Sequence, residues 1–173
     1  MAETYKVAVL AGDGIGPEIT QQALRVLRLI EQKRDVVFAC EEVEFGAAAY
    51  FSTGKAFPDA TKKACDEADA ILKGPIGLSH EESEKIPVEE RPERGALLPM
   101  RRRLNTYANF RPISLPKGMA HFSPLKPEIV GEGIDIMLIR ELIGGLYFGG
   151  KERGETEEGL RYVKESLDYD EQQ

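Results

Sequence analysis

The chain is short of cysteine, histidine and long hydrophobic runs, and each shortage removes a class of protein. Its two cysteines, Cys40 and Cys65, lie far apart with no metal-like spacing, so neither a disulfide framework nor a zinc site is indicated, and a cytoplasmic setting is expected. His80 and His121 form no metal-like pair either. The opening MAETYK runs straight into a short apolar stretch, without a basic region or a segment long enough to span a bilayer, so neither secretion nor membrane insertion is expected. Positive charge is also in deficit. With 23 Lys+Arg against 30 Asp+Glu, the net charge of −7 disfavours a nucleic-acid partner, and the single basic run Arg101 to Arg103 is a weak electrostatic footprint. What is present is ordinary for a packed protein: 42% apolar and 31% charged residues, with 17 glycines and 10 prolines. A length of 173 residues holds one good-sized domain or two small lobes.

The run from Tyr5 to Leu10 is too apolar to alternate, as expected of a central strand covered on both faces. AGDGIGPE follows, with Pro17 suited to the first helical position and Glu18 adding negative charge to the first turn. Ile19, Ala23, Val26, Leu27 and Ile30 recur at helical spacing. A strand over Val36 to Phe45, a short helix or turn over Gly46 to Phe51, a helix over Pro58 to Ala68 and a strand over Ala70 to Lys73 complete an alternating pattern. That order predicts an α/β fold of three layers with a largely parallel sheet. Leu78 to Gly95 is polar and reads as an irregular crossover, and Ala96 to Leu104 as a helix. From Tyr107 onward strand-forming residues and isolated prolines dominate, with Ile134 to Ile139 strongly strand-like. A first lobe over residues 1–100 and the start of a second over 101–173 are expected. The tail GETEEGLRYVKESLDYDEQQ is polar, and the acidic segment after Asp168 resembles a helix start.

AGDGIG lies between a strand and a helix, yet it is neither of the common phosphate loops. The third glycine of the dinucleotide-binding fingerprint would fall at position 17, which is Pro17, and no Gly-Lys-Ser/Thr closes the segment. A tight turn and a ligand-facing loop both fit this pattern. Arg101, Arg111 and Arg140 stand in separate blocks. Arginine's rigid, permanently charged fork suits a small dicarboxylate, but surface ion pairing accounts for each residue equally well. Tyr147, in GGLYFGG, reads as a packing aromatic or as a proton donor in a cleft. Leu97 lies one turn before Arg101 on the same helical face, which permits either core burial or an apolar wall beside a carboxylate clamp.

GDGIGPEI, RPERGALLPMRRRL, YANFRP, SPLKPEI and IRELIGGLYFGG occur in order between Lys6 and about Gly150. In combination they resemble the β-decarboxylating dehydrogenases, the family of isocitrate, isopropylmalate and tartrate dehydrogenases. The likeness covers almost all of this chain but only about the first half of a family enzyme. It implies an isopropylmalate dehydrogenase-like fold rather than a Rossmann fold, with a second lobe of the dimerisation type that is incomplete here. It further implies NAD and Mg²⁺ or Mn²⁺ as cofactors, a 2-hydroxy dicarboxylate substrate and a homodimer. By the same likeness, Arg101, Arg111 and Arg140 clamp the malate core of the substrate. Tyr147 protonates the enol carbon or supports that transfer. Glu93 and Asn109 stand near the nicotinamide ribose or amide, while Ile15 and the turn Lys73 to Gly77 border the cofactor cleft. Leu97 matches the position that contacts an isopropyl group, which favours 3-isopropylmalate, and so leucine biosynthesis, over isocitrate, tartrate or another alkylmalate. The family's catalytic lysine and metal-binding aspartates normally lie downstream of residue 173. A noncatalytic binding module is therefore the alternative from a different class.

Overall fold

The computed structural model describes residues 2–169; the helix expected to begin after Asp168 lies outside the described residues. The chain divides into two compact units between Leu104 and Asn105. The first contains β1 (Glu3–Leu10), α1 (Gly16–Glu31), β2 (Val36–Glu42), α2 (Ala47–Thr53), α3 (Asp59–Glu67), β3 (Ala70–Lys73), α4 (His80–Ser83) and α5 (Leu98–Arg103). Its strands run in the order β2-β1-β3, and β1 is parallel to both neighbours.

The apolar end of β1 explains the layers. Val7 to Leu10 are all buried, and successive side chains leave a strand on opposite faces. Val7 and Val9 pack with Leu24 of α1, flanked by Leu27, Phe38 and Leu72. Ala8 and Leu10 join Phe45, Phe57, Ala64, Cys65, Ala96 and Met100 on the other side. A strand sandwiched in this way has no solvent face, so it carries no polar alternation. β2 ends at Glu42 rather than Phe45. Phe45 instead turns into the core, edge-on to Phe57 with ring centroids 5.5 Å apart.

The segment expected to be an irregular crossover is more ordered than its polarity implied. Ser79 and Glu82 form a reciprocal capping box at the start of α4. The helix expected over Ala96 to Leu104 is two pieces, a π-type turn over Pro92–Leu97 and then α5. Pro99 has no N–H for the carbonyl four residues earlier and its ring crowds that carbonyl, so an ordinary α pattern cannot pass through it. The Leu98 N–H reaches back five residues, to the Glu93 carbonyl.

The second unit contains β4 (Ala108–Pro116), α6 (Pro127–Val130), β5 (Gly133–Glu141), β6 (Lys151–Glu155) and β7 (Arg161–Glu165). Its strands pair as two antiparallel ribbons, β4-β5 and β6-β7, so the parallel character belongs to the first unit. In a two-stranded ribbon both strands are edges, which is why β4 tolerates Pro112 and Pro116. Residues 151–165 form the β6-β7 hairpin, closed where the Leu160 N–H donates to the Thr156 hydroxyl at 3.2 Å and Gly159 adopts φ +80°. Among the described residues no helix is long and apolar enough to cross a membrane.

Candidate functional site

In the first unit the candidate residues gather where β1 and β3 end. Ile15 precedes α1 in helical conformation, with its side chain 60% exposed. The turn after β3 approaches the glycine loop so closely that a Cβ on Gly12 (φ +78°) would lie 2.0 Å from the Pro75 carbonyl oxygen. A Cβ on Gly77 would lie 3.4 Å from Oε1 of Glu93, so the Glu93 carboxylate stands beside that turn. Leu97 is partly buried against the core cluster, and half-buried Arg101 lies one turn further along α5.

Lys73 ends β3 and donates to the Gly74 carbonyl at 2.7 Å. Its ammonium group is held below the usual lysine range, first by burial and then by the Arg101 guanidinium, with Asp13 opposing.

The strongest feature of this end of the sheet was not singled out in the sequence. Asp13 is only 5% exposed. Its carboxylate accepts from the N–H groups of Ala47 (3.1 Å) and Gly77 (3.0 Å) through Oδ2, and from Ala48 (2.9 Å) through Oδ1. An aspartate between glycines in a loop ordinarily reads as a solvated turn residue. Gly46, at φ +86°, is its signature elsewhere in the chain, since a Cβ there would lie 2.6 Å from Asp13 Oδ2.

In the second unit the β4-β5 ribbon sets the geometry. Asn109 lies opposite Arg140 and Arg111 opposite Leu138. Residues facing each other across an antiparallel pair share a face, and so do alternate residues of one strand, so Asn109, Arg111 and Arg140 line one face. Among the described residues neither Arg111 nor Arg140 has an ion-pair partner. Like charges at neighbouring ribbon positions repel, and a bound carboxylate relieves that repulsion.

Tyr147 follows from a turn. Glu141 Oε1 accepts from the N–H groups of Ile143 and Gly144, reversing the chain after β5, and Gly145–Tyr147 form a short 3₁₀ turn. This brings the Tyr147 hydroxyl into hydrogen bonding with the Arg140 guanidinium, which sits 5.3 Å from the ring centroid. The arginine fork and a phenolic proton are thus joined at one point. Asn109 Oδ1 is buried and has no hydrogen-bond partner among the described residues, an acceptor suited to an amide or hydroxyl donor of a bound molecule.

The family model for isocitrate/isopropylmalate dehydrogenase matches residues 6–173. The chain belongs to this family. It is 45% identical over 152 residues to a 3-isopropylmalate dehydrogenase of Campylobacter jejuni, covering 88% of this chain and 42% of that protein. Against a 3-isopropylmalate dehydrogenase of Vibrio cholerae it is 46% identical over 155 residues, covering 90% and 42%. Among solved structures, an isocitrate dehydrogenase from Methylococcus capsulatus matches with TM-score 0.70 at 25% identity, over 95% of this chain and 42% of that one. A β-decarboxylating dehydrogenase from Thermococcus kodakarensis matches with TM-score 0.60 at 26% identity, over 95% and 41%. The fold is therefore the α/β fold of these dehydrogenases, with parallel and antiparallel sheets, and not a Rossmann fold. The chain spans about two fifths of the length of the curated relatives it matches.

The two implied cofactors fare differently against these residues. In the first unit, exposed Ile15 and the Glu93 carboxylate at the Gly77 turn are suitable groups for a nicotinamide nucleotide. A divalent cation finds no comparable set. Among the described residues no three His, Cys, Asp or Glu side chains cluster to hold one, and both oxygens of buried Asp13 already accept backbone N–H groups.

Proposed function

We propose that the complete polypeptide carrying these residues is an NAD-dependent dehydrogenase that oxidises and decarboxylates 3-isopropylmalate to 4-methyl-2-oxopentanoate. The observation that carries this reading is the contact of Arg140 with the Tyr147 hydroxyl on the face shared with Arg111. Arg111 and Arg140 hold carboxylate oxygens of the substrate through charge-assisted hydrogen bonds, and the family likeness assigns Arg101, on α5 of the first unit, the same kind of contact. NAD, when bound, accepts hydride from the carbon bearing the 2-hydroxyl. The β-carboxylate then leaves as carbon dioxide, its bonding electrons pass into an enolate, and the Tyr147 hydroxyl returns a proton to the enolate carbon. Arg140 lowers the cost of the transient phenolate, because its positive charge sits against that oxygen. The Mg²⁺ or Mn²⁺ of the family is assigned to groups outside these residues, as are the base that takes the hydroxyl proton and the homodimer partner.

The names of the Campylobacter and Vibrio relatives support the isopropylmalate reading, and so does Leu97, whose partly buried side chain offers an alkyl wall four residues before Arg101. Leu97→Ser is expected to lower kcat/KM for 3-isopropylmalate by about ten- to two-hundred-fold while changing that for unsubstituted malate less than threefold. Steady-state assays with both substrates check this. An equal loss on both would mean that Leu97 serves the core alone. A second reading, a substrate with a further carboxylate such as isocitrate, is favoured by Lys73, a partly desolvated cation beside Arg101. The reaction type is tested by counting products: one carbon dioxide per NADH is expected, and NADH without carbon dioxide would contradict decarboxylation.

A further inference from the structure

We propose that Asp13 is a positioning residue, a buried carboxylate that sets the backbone on the cofactor side of the site. The inference rests on the reading that Ile15, the Gly77 turn and Glu93 face the nucleotide. Three separate segments meet at this side chain: its own glycine loop, the start of α2 through Ala47 and Ala48, and the turn after β3 through Gly77. Its backbone joins the same knot, since the Asp13 N–H donates to the Pro75 carbonyl at 2.9 Å. A carboxylate with two acceptor oxygens serves N–H groups from several directions at once, which no neutral side chain of its size does.

The glycines around it follow from this convergence. Gly46 must leave room for Oδ2, Gly12 for the Pro75 carbonyl, and Gly74 for the Ala11 carbonyl, which a Cβ at that position would approach to 2.0 Å. Exposed Ile15 lies two residues beyond Asp13, and Glu93 lies beside Gly77, so the knot fixes both. The N–H groups that donate to Asp13 belong to Ala47, Ala48 and Gly77, and so to neither the π-type turn nor α5, which carry Leu97 and Arg101. Loosening the knot therefore moves the cofactor side of the first unit and leaves the segment carrying Leu97 and Arg101 in place. It also gives the Gly77 N–H a structural partner, so the loop works as a braced wall and not as a phosphate cradle.

The test uses Asp13→Asn in the complete polypeptide. Asparagine keeps the shape but turns one acceptor into a donor facing an N–H group, so at least one of the three bonds is lost. The KM for NAD and the NAD dissociation constant from calorimetry are expected to rise together by tenfold or more, with the KM for the dicarboxylate within twofold of wild type. Ala48→Pro is the second variant. It removes the N–H that Oδ1 accepts, at an exposed position in the first helical turn where proline is tolerated, and is expected to weaken NAD binding in the same direction. A fall in melting temperature with unchanged NAD affinity in both variants would make Asp13 a merely structural brace and overturn the inference alone. Equal changes in both KM values would overturn it as well. Failure of the wild-type protein to bind NAD would instead overturn the cofactor reading and this inference with it.

Discussion

Arg140→Ala in the complete polypeptide is expected to cut kcat/KM for the dicarboxylate by roughly thirty- to several-thousand-fold, corresponding to about 2–5 kcal/mol for removing one partner of a hydrogen-bonded charge pair. The size follows from its two tasks. Arg140 lines the face it shares with Arg111, and it also hydrogen-bonds the Tyr147 hydroxyl, so in the function proposed above its removal weakens both the carboxylate clamp and the placement of the proton donor. Arg140→Lys separates the tasks. Lysine keeps the charge but loses the fork, so it should recover part of the substrate affinity and little of kcat. A loss below threefold in the alanine variant would remove Arg140 from the clamp.

Tyr147→Phe is expected to lower kcat by about 10²–10⁴-fold, the usual contribution of a positioned proton donor, with the substrate KM changed by only a few-fold. The ring stays, and with it the contact between the Arg140 guanidinium and the aromatic face, so the arginine keeps its place. What disappears is the hydroxyl. Single-turnover kinetics give an independent check: the first equivalent of NADH should still form while protonation of the enolate carbon slows, so that NADH appears as a burst before the product. Unchanged kcat would assign Tyr147 to packing and locate the proton donor elsewhere.

Much of the first unit was legible in the sequence, because its signals are local. The apolar run to Leu10, the glycine turn and the helical spacing from Ile19 to Ile30 each report on neighbouring residues, and β3 falls on Ala70–Lys73 as its composition predicts. Asp13 was not legible as a brace, because its partners lie 34, 35 and 64 residues away and backbone N–H groups leave no mark in a sequence. The π-type turn before Arg101 was also missed. Pro99 was its signal, and a proline early in a helical segment more often marks an ordinary first turn. The β6-β7 hairpin was hidden by the polarity of a two-stranded ribbon with no buried face to enforce alternation. The arginines show the other limit. Arg111 and Arg140 share a face only because the β4-β5 register sets them so, and one residue of slip would send them to opposite sides.

The preference among substrates bears most directly on the central claim. With the complete polypeptide, NAD and Mg²⁺, kcat/KM should be measured for 3-isopropylmalate, isocitrate and tartrate under one set of conditions. The alkyl wall at Leu97 predicts that 3-isopropylmalate is preferred by at least tenfold. Preference for isocitrate would contradict that assignment and transfer the determining role to Lys73 beside Arg101, and absence of turnover with all three would contradict the dehydrogenase reading of this protein.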